Sequence, residues 1–281
     1  MEKPIKGYGK TITINNAHIS YDDVGKGDIP IIFLHGFPFD RSMWKGQVNY
    51  LKLAYRLISV DVRGFGQSSL GKEEINIDLF SDDLIKLMDV LKIEKAILCG
   101  LSMGGYIALN VINRFPERFV GLILCDTNCI ADNKKMRENR YKTIYQIEAH
   151  GKADFAEEFI ENAFRRDSFI LKKEVVKKIE ASILSNTAKV ITEGLKALTN
   201  RTETCSTLSS ISVPTLIICG RNDKLTPVEQ SEFLNRHIRR SKLKIIERAG
   251  HLSNLEQPDV FNEHLLHFLQ VNAAKFKSDK S

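Results

Sequence analysis

Short, uninterrupted apolar runs recur along this chain. IPIIFL (Ile29 to Leu34), LISV (Leu57 to Val60), AILC (Ala96 to Cys99), LILC (Leu122 to Cys125), TLIIC (Thr215 to Cys219) and LKII (Leu243 to Ile246) each predict a buried strand. Ahead of them, Thr11 to Ile14 and His18 to Asp22 predict a short strand pair. The intervening segments carry helical spacing, as where Leu84, Leu87, Met88 and Leu91 share one face of a helix over Asp78 to Leu91.

Apolar strands alternating with helices are what a parallel sheet covered on both faces requires, because neither face of such a strand meets water. The expected fold is therefore α/β, a doubly wound, mostly parallel sheet. The alternation stops between residues 128 and 210, a segment rich in Lys, Glu and Ala with no strand signal. That predicts a helical cap over 128–210, inserted into a core made of 1–127 and 211–281. The tail from Lys275 reads as frayed.

Charge changes this picture little. The net charge of +6 is the difference between 41 basic and 35 acidic residues, and the basic pairs Arg165-Arg166, Lys172-Lys173, Lys177-Lys178 and Arg239-Arg240 have acidic neighbours. They read as solvated helix faces, and no nucleic-acid partner is expected. MEKPIKGYGK has no signal-peptide core, and runs such as IIFL are too short to span a bilayer, so no membrane association is expected. Cys99, Cys125 and Cys219 close apolar runs and read as core thiols. Cys129 and Cys205 show neither a CxxC spacing nor a histidine cluster, so neither a redox pair nor a zinc site is expected, and the usage fits a reducing, cytoplasmic compartment.

The candidate chemistry begins at GLSMGG, Gly100 to Gly105, between the strand AILC and the helical pattern Ile107, Ala108, Val111, Ile112, Phe115. A bare GxSxG arises by chance in roughly one chain of this length in ten, so the flanking strand and helix carry the weight. In that context it reads as a nucleophile elbow: Ser102 at the tip of a strained turn, with Gly100 and Gly104 omitting Cβ atoms that would collide.

A serine hydroxyl needs a base, and His251, in ERAGHLSNLEQP just after LKII, is the histidine placed to reach the elbow. The base needs an orienting carboxylate. Asp223, in GRNDKLTP after TLIICG, completes the chain order Ser, Asp, His; Asp126, ending LILCD, is the competitor, and Asp61 in DVRGFGQS is read as shaping its own turn. HGFP, His35 to Pro38, follows IIFL and offers the amide of Phe37, with that of Met103, as oxyanion donors. His35 is then structural. Phe39 and Trp44, with Phe37 and Met103, are candidates for a substrate pocket, though ordinary core explains them equally well. Arg140, Arg165 and Arg166 are candidates for a substrate carboxylate, or solvated surface.

At HGFP, DVRGFGQS, GLSMGG, GRNDKLTP and AGHLSNLEQP the chain resembles the α/β-hydrolase superfamily, over roughly His18 to Leu269. GLSMGG with HLSNLEQP is similar to small esterases and enol-lactonases of the 3-oxoadipate type, and to cofactor-free haloperoxidase or perhydrolase relatives. Epoxide hydrolases and haloalkane dehalogenases resemble this pattern but carry aspartate where this chain has Ser102. The resemblance implies a serine hydrolase that cleaves a small carboxylic ester or lactone through an acyl-enzyme on Ser102, with no metal or organic cofactor. Two alternatives remain: a perhydrolase-like activity with the same three residues, or a small-molecule receptor or regulatory partner that does not turn over.

Overall fold

Five apolar runs are buried along their whole length in the computed structural model, which describes residues 6–278. They are β3 (Ile31–Leu34), β4 (Leu57–Val60), β5 (Ala96–Leu101), β6 (Phe119–Cys125) and β7 (Thr215–Gly220), which follow β1 (Lys10–Ile14) and β2 (Ala17–Val24) and precede β8 (Ser241–Ile246). Together they form one eight-stranded sheet in the order β1-β2-β4-β3-β5-β6-β7-β8. The β1–β2 and β2–β4 pairs are antiparallel and the remaining pairs parallel. Burial of every side chain on the central strands reflects helices on both faces.

The helices are α1 (Lys45–Leu51), α2 (Ile77–Val90), α3 (Met103–Arg114), α4 (Lys134–His150), α5 (Ala153–Ala163), α6 (Ser168–Leu171), α7 (Lys173–Ser185), α8 (Ala188–Thr199), α9 (Val228–His237), α10 (Ser253–Glu256), α11 (Pro258–Val271) and α12 (Ala273–Ser278). Polar side chains start several of them. Asn76 accepts from the amide of Leu79 at 2.8 Å, Asn133 from that of Met136 at 3.0 Å and Thr187 from that of Val190 at 3.2 Å, each satisfying a donor that the first turn leaves free. Of the tail expected to fray from Lys275, residues 275–278 are helical, with Phe276 packed on Phe268, and the remaining three lie outside the described residues.

Between β6 and β7 the described chain contains α4 to α8 and a 3-10 turn, Cys205–Ser210, and no strand. Against the expectation that Cys129 and Cys205 form no redox pair, the two are joined in a disulfide. The pairing closes a loop across a sequence separation of 76, joining the segment that leaves β6 to the 3-10 turn before β7. Folding brings the two ends of the helical segment together, a proximity that no local spacing encodes. Cys99, Cys125 and Cys219 are free and buried as expected. Among the described residues no helix is long and apolar enough to cross a membrane.

Candidate active site

The parallel register places the C-terminal ends of β5, β6, β7 and β8 side by side, with Leu101 opposite Cys125 and Gly220 opposite Ile246. Loops leaving those ends share one edge, where ligands of open α/β sheets bind. Ser102 leaves β5, Asp126 leaves β6, Asp223 follows β7 and His251 follows β8.

Ser102 takes φ 53° and ψ −114°, a conformation L-residues rarely adopt and that costs about 1–3 kcal/mol. Its backbone is over-determined. The amide donates to the Cys125 carbonyl at 3.0 Å, and its carbonyl accepts from Gly105 N, Tyr106 N and Thr127 Oγ1 at 2.8, 3.1 and 2.9 Å. The side chain makes no hydrogen bond among the described residues, so the turn is held by its backbone while the hydroxyl stays free. Two glycines permit this approach. A Cβ on Gly100 would stand 2.1 Å from the Gly104 carbonyl oxygen, and one on Gly104 2.2 Å from that of Leu34.

His251 is 1% exposed, and its Nδ1 lies 2.9 Å from Asp223 Oδ2. With Nδ1 protonated toward the carboxylate, Nε2 presents its lone pair, and this atom is buried with no hydrogen-bond partner. Burial alone would disfavour the imidazolium. The charge and hydrogen bond of Asp223, with Asp126 and Glu256 further off, outweigh it and raise the His251 pKa. Burial likewise works against the Asp223 carboxylate, but His251 and the bonds from Thr226 hold its pKa below the ordinary value. The amides of Leu225 and Thr226 reach Oδ1 at 2.8 and 2.9 Å, and the Thr226 hydroxyl reaches Oδ2 at 2.5 Å. Each of these bonds favours the ionised form.

Asp126, the competitor, turns its oxygens elsewhere. Oδ1 accepts from Gly220 N at 2.7 Å and Oδ2 from Ser253 Oγ at 2.5 Å. It thus ties together the loops that carry Asp223 and His251, and full burial beside Asp223 raises its pKa well above the ordinary carboxylate range. Asp61 shapes its turn: Oδ1 accepts from Arg41 N and Oδ2 from Gln67 N, with the Arg41 guanidinium alongside.

The HGFP loop lies against the elbow. A Cβ on Gly36 would come within 3.3 Å of the Ser102 Cβ. The amides of Phe37 and Met103 donate no backbone hydrogen bond among the described residues, Met103 being the first residue of α3. His35 is fully buried behind this loop. Its Nε2 accepts from Val62 N at 2.9 Å, so its Nδ1 carries the proton to the Gly36 carbonyl, also at 2.9 Å, and burial lowers its pKa. The ring is a neutral strut between two loops.

The pocket candidates divide. Phe37 packs edge-on to Phe65 and Phe159, and Phe39 packs on Phe159. Phe37 also lines a cavity of about 210 Å³ with Phe155, Phe159, Arg140, Thr143 and Leu225, the last two residues beyond Asp223. Trp44 sits fully buried in the core between Phe33 and Phe261, its Nε1 without a partner among the described residues. Arg140 donates from Nε to Asp132, Arg165 pairs with Asp167 at 2.8 Å, and Arg166 is exposed. A second cavity, about 790 Å³ around Arg41 and Lys45, includes none of Ser102, Asp223 and His251, and neither does the one beside Phe37.

Thr226 and Glu256 escaped the sequence reading. Thr226 had a signal in the spacing of DKLT, an aspartate followed by residues able to close a turn onto it. Glu256 had none.

The fold and this edge place the chain in a known family. It belongs to the family described as alpha/beta hydrolase fold, which it matches over residues 29–258. It is 31% identical over 260 residues to 3-oxoadipate enol-lactonase 2 of Acinetobacter baylyi, covering 92% of this chain and 96% of that one. Among solved structures, a thermophilic esterase from Thermogutta terrifontis, with malate bound, superposes with a TM-score of 0.89 at 32% identity, covering 93% of this chain and 98% of that one. The enol-lactonase from Burkholderia xenovorans gives a TM-score of 0.87 at 25% identity, covering 93% and 100%.

Proposed function

We propose that the protein is a carboxylic ester hydrolase acting on small esters or lactones, with Ser102 as nucleophile, His251 as base and Asp223 as the carboxylate that orients the base. The observation that carries the reading is a buried imidazole that Asp223 holds by Nδ1 and whose Nε2 is unpartnered, on a loop at the same sheet edge as a strained Ser102 whose hydroxyl is free. The enol-lactonase and esterase relatives agree with it.

In this reading Ser102 Oγ adds to the ester or lactone carbonyl while His251 takes its proton. The resulting oxyanion is met by the amides of Phe37 and Met103. Collapse breaks the C–O bond, and His251 returns the proton to the departing alkoxide. Water, deprotonated by His251, then attacks the acyl-enzyme and releases the acid. Residues 128–210 act as a cap over a core of 1–127 and 211–281, and the substrate approaches by way of the cavity bounded by Phe37, Phe155, Phe159 and Arg140, which meets the site at Phe37 and Leu225 rather than at Ser102, Asp223 or His251. We place the protein in the cytoplasm on its three buried free thiols, against which stands the Cys129–Cys205 pairing; the mass of the chain trapped with a thiol reagent at lysis decides between them.

Hydrolysis of p-nitrophenyl esters and simple lactones tests the reading. Activity in the wild type that falls at least about 10³-fold in both Ser102→Ala and His251→Ala supports it. Activity that survives both substitutions overturns it.

A further inference from the structure

The loop that carries His251 is docked on the helical segment between β6 and β7 by one direct backbone bond and by a bridge through one buried acid. His251 N donates to the Ala163 carbonyl, at the end of α5, at 2.9 Å. The preceding amide, Gly250 N, donates to Glu256 Oε1 at 2.6 Å. The other oxygen of the same carboxylate accepts from Arg165 N at 3.1 Å and from the Ser168 hydroxyl, just beyond α5. Glu256 is 1% exposed. The seam is closely packed: a Cβ on Gly250 would meet the Ala163 carbonyl oxygen at 2.9 Å, Glu256 Oε1 at 3.0 Å and Arg165 N at 3.2 Å.

A buried carboxylate this far from solvent is costly unless each oxygen is bonded. Burial raises the Glu256 pKa, and the bonds from Ser168, Gly250 and Arg165 act against that rise. The Arg165 guanidinium is turned to Asp167 rather than to Glu256. What Glu256 gains is a three-way bridge between the backbone beside His251 and the backbone at 165–168.

We propose that Glu256 is a positioning residue for His251, and that through it the segment 163–168 sets where the imidazole stands. Seating of the cap and alignment of the base are then one event, and a cap displaced by substrate or product moves the base with it. This rests on the assignment of His251 as base. The acidic groups that act on His251 are Asp223, Asp126 and Glu256.

The test compares Glu256→Gln, Ser168→Ala and His251→Ala, each checked for a wild-type fold by circular dichroism. Gln keeps the shape but cannot accept from both sides of the seam with both ends of its amide. Glu256→Gln is expected to lower kcat about 10–100-fold, the scale of a misplaced catalytic group, with KM within about threefold. It also moves the acid limb of the kcat/KM profile to lower pH, because one negative charge that favours the imidazolium is gone. Ser168→Ala, which touches only the cap side and keeps the proposal testable if Glu256→Gln fails to fold, lowers kcat about three- to tenfold; the double variant is no worse than Glu256→Gln alone. Wild-type kcat and an unmoved acid limb in the folded variants, beside an inactive His251→Ala, would overturn the positioning role and leave the base assignment standing. Activity in His251→Ala would overturn both.

Discussion

Asp223 Oδ2 stands 2.9 Å from Nδ1 of His251, and the opposite nitrogen of the same ring is buried without a partner. Asp126 lies close enough to raise the His251 pKa, but its oxygens are taken by Gly220 N and Ser253 Oγ. The two carboxylates therefore predict different losses. In Asp223→Asn the amides of Leu225 and Thr226 keep the carbonyl oxygen, so the NH2 group faces His251 Nδ1, selects the wrong tautomer and should lower kcat by about 10⁴. Asp126→Asn keeps an acceptor for Gly220 N and should lower kcat less than about tenfold. Steady-state kinetics on the two variants tests the assignment, and equal losses would contradict it.

The pH profile follows from the same pair. A base must be neutral to act, and Asp223 with Asp126 and Glu256 raises the His251 pKa against the opposing effect of burial. The acid limb of kcat/KM is therefore expected above the ordinary histidine value of about 6.5, with activity lost as pH falls through it. An acid limb below that value would show that burial, rather than Asp223, dominates at His251.

Strain at Ser102 separates stability from activity. Its φ of 53° suits glycine better than any residue with a Cβ. Ser102→Gly and Ser102→Ala should both be inactive, and the glycine variant should be the more stable by about 1 kcal/mol, the relief of strain less glycine's entropic cost. Denaturant titration of the two variants measures this.

Much of the core was readable because its signals are local. Continuous apolar strands report a sheet covered on both faces, and glycines around Ser102 report a turn too tight for Cβ atoms. The choice between Asp223 and Asp126 was less open to pattern, since both follow a strand; the bonds from Leu225 and Thr226 that turn Asp223 toward His251 exist only once the DKLT turn is folded. Trp44 shows the converse, an aromatic near the HGFP loop that packs between Phe33 and Phe261. The Cys129–Cys205 bond and the Glu256 bridge join segments far apart in the chain, and periodicity carries no information about such partners.

The disulfide gives a prediction that depends only on loop length. Cross-linking residues 76 apart restricts the unfolded chain, so Cys129→Ser with Cys205→Ser should lower stability by about 4.5 kcal/mol under non-reducing conditions. Thiol titration of the denatured wild type should find the three free cysteines, Cys99, Cys125 and Cys219. A count of five would show the pair reduced, and the double variant would then match the wild type.

The central claim is that Ser102 is an activated nucleophile, and intact mass after treatment with a fluorophosphonate tests it most directly. One adduct per chain on the wild type, absent from Ser102→Ala and strongly slowed in His251→Ala, is the predicted result. An unlabelled but folded wild type, or an adduct that persists in Ser102→Ala, would contradict it.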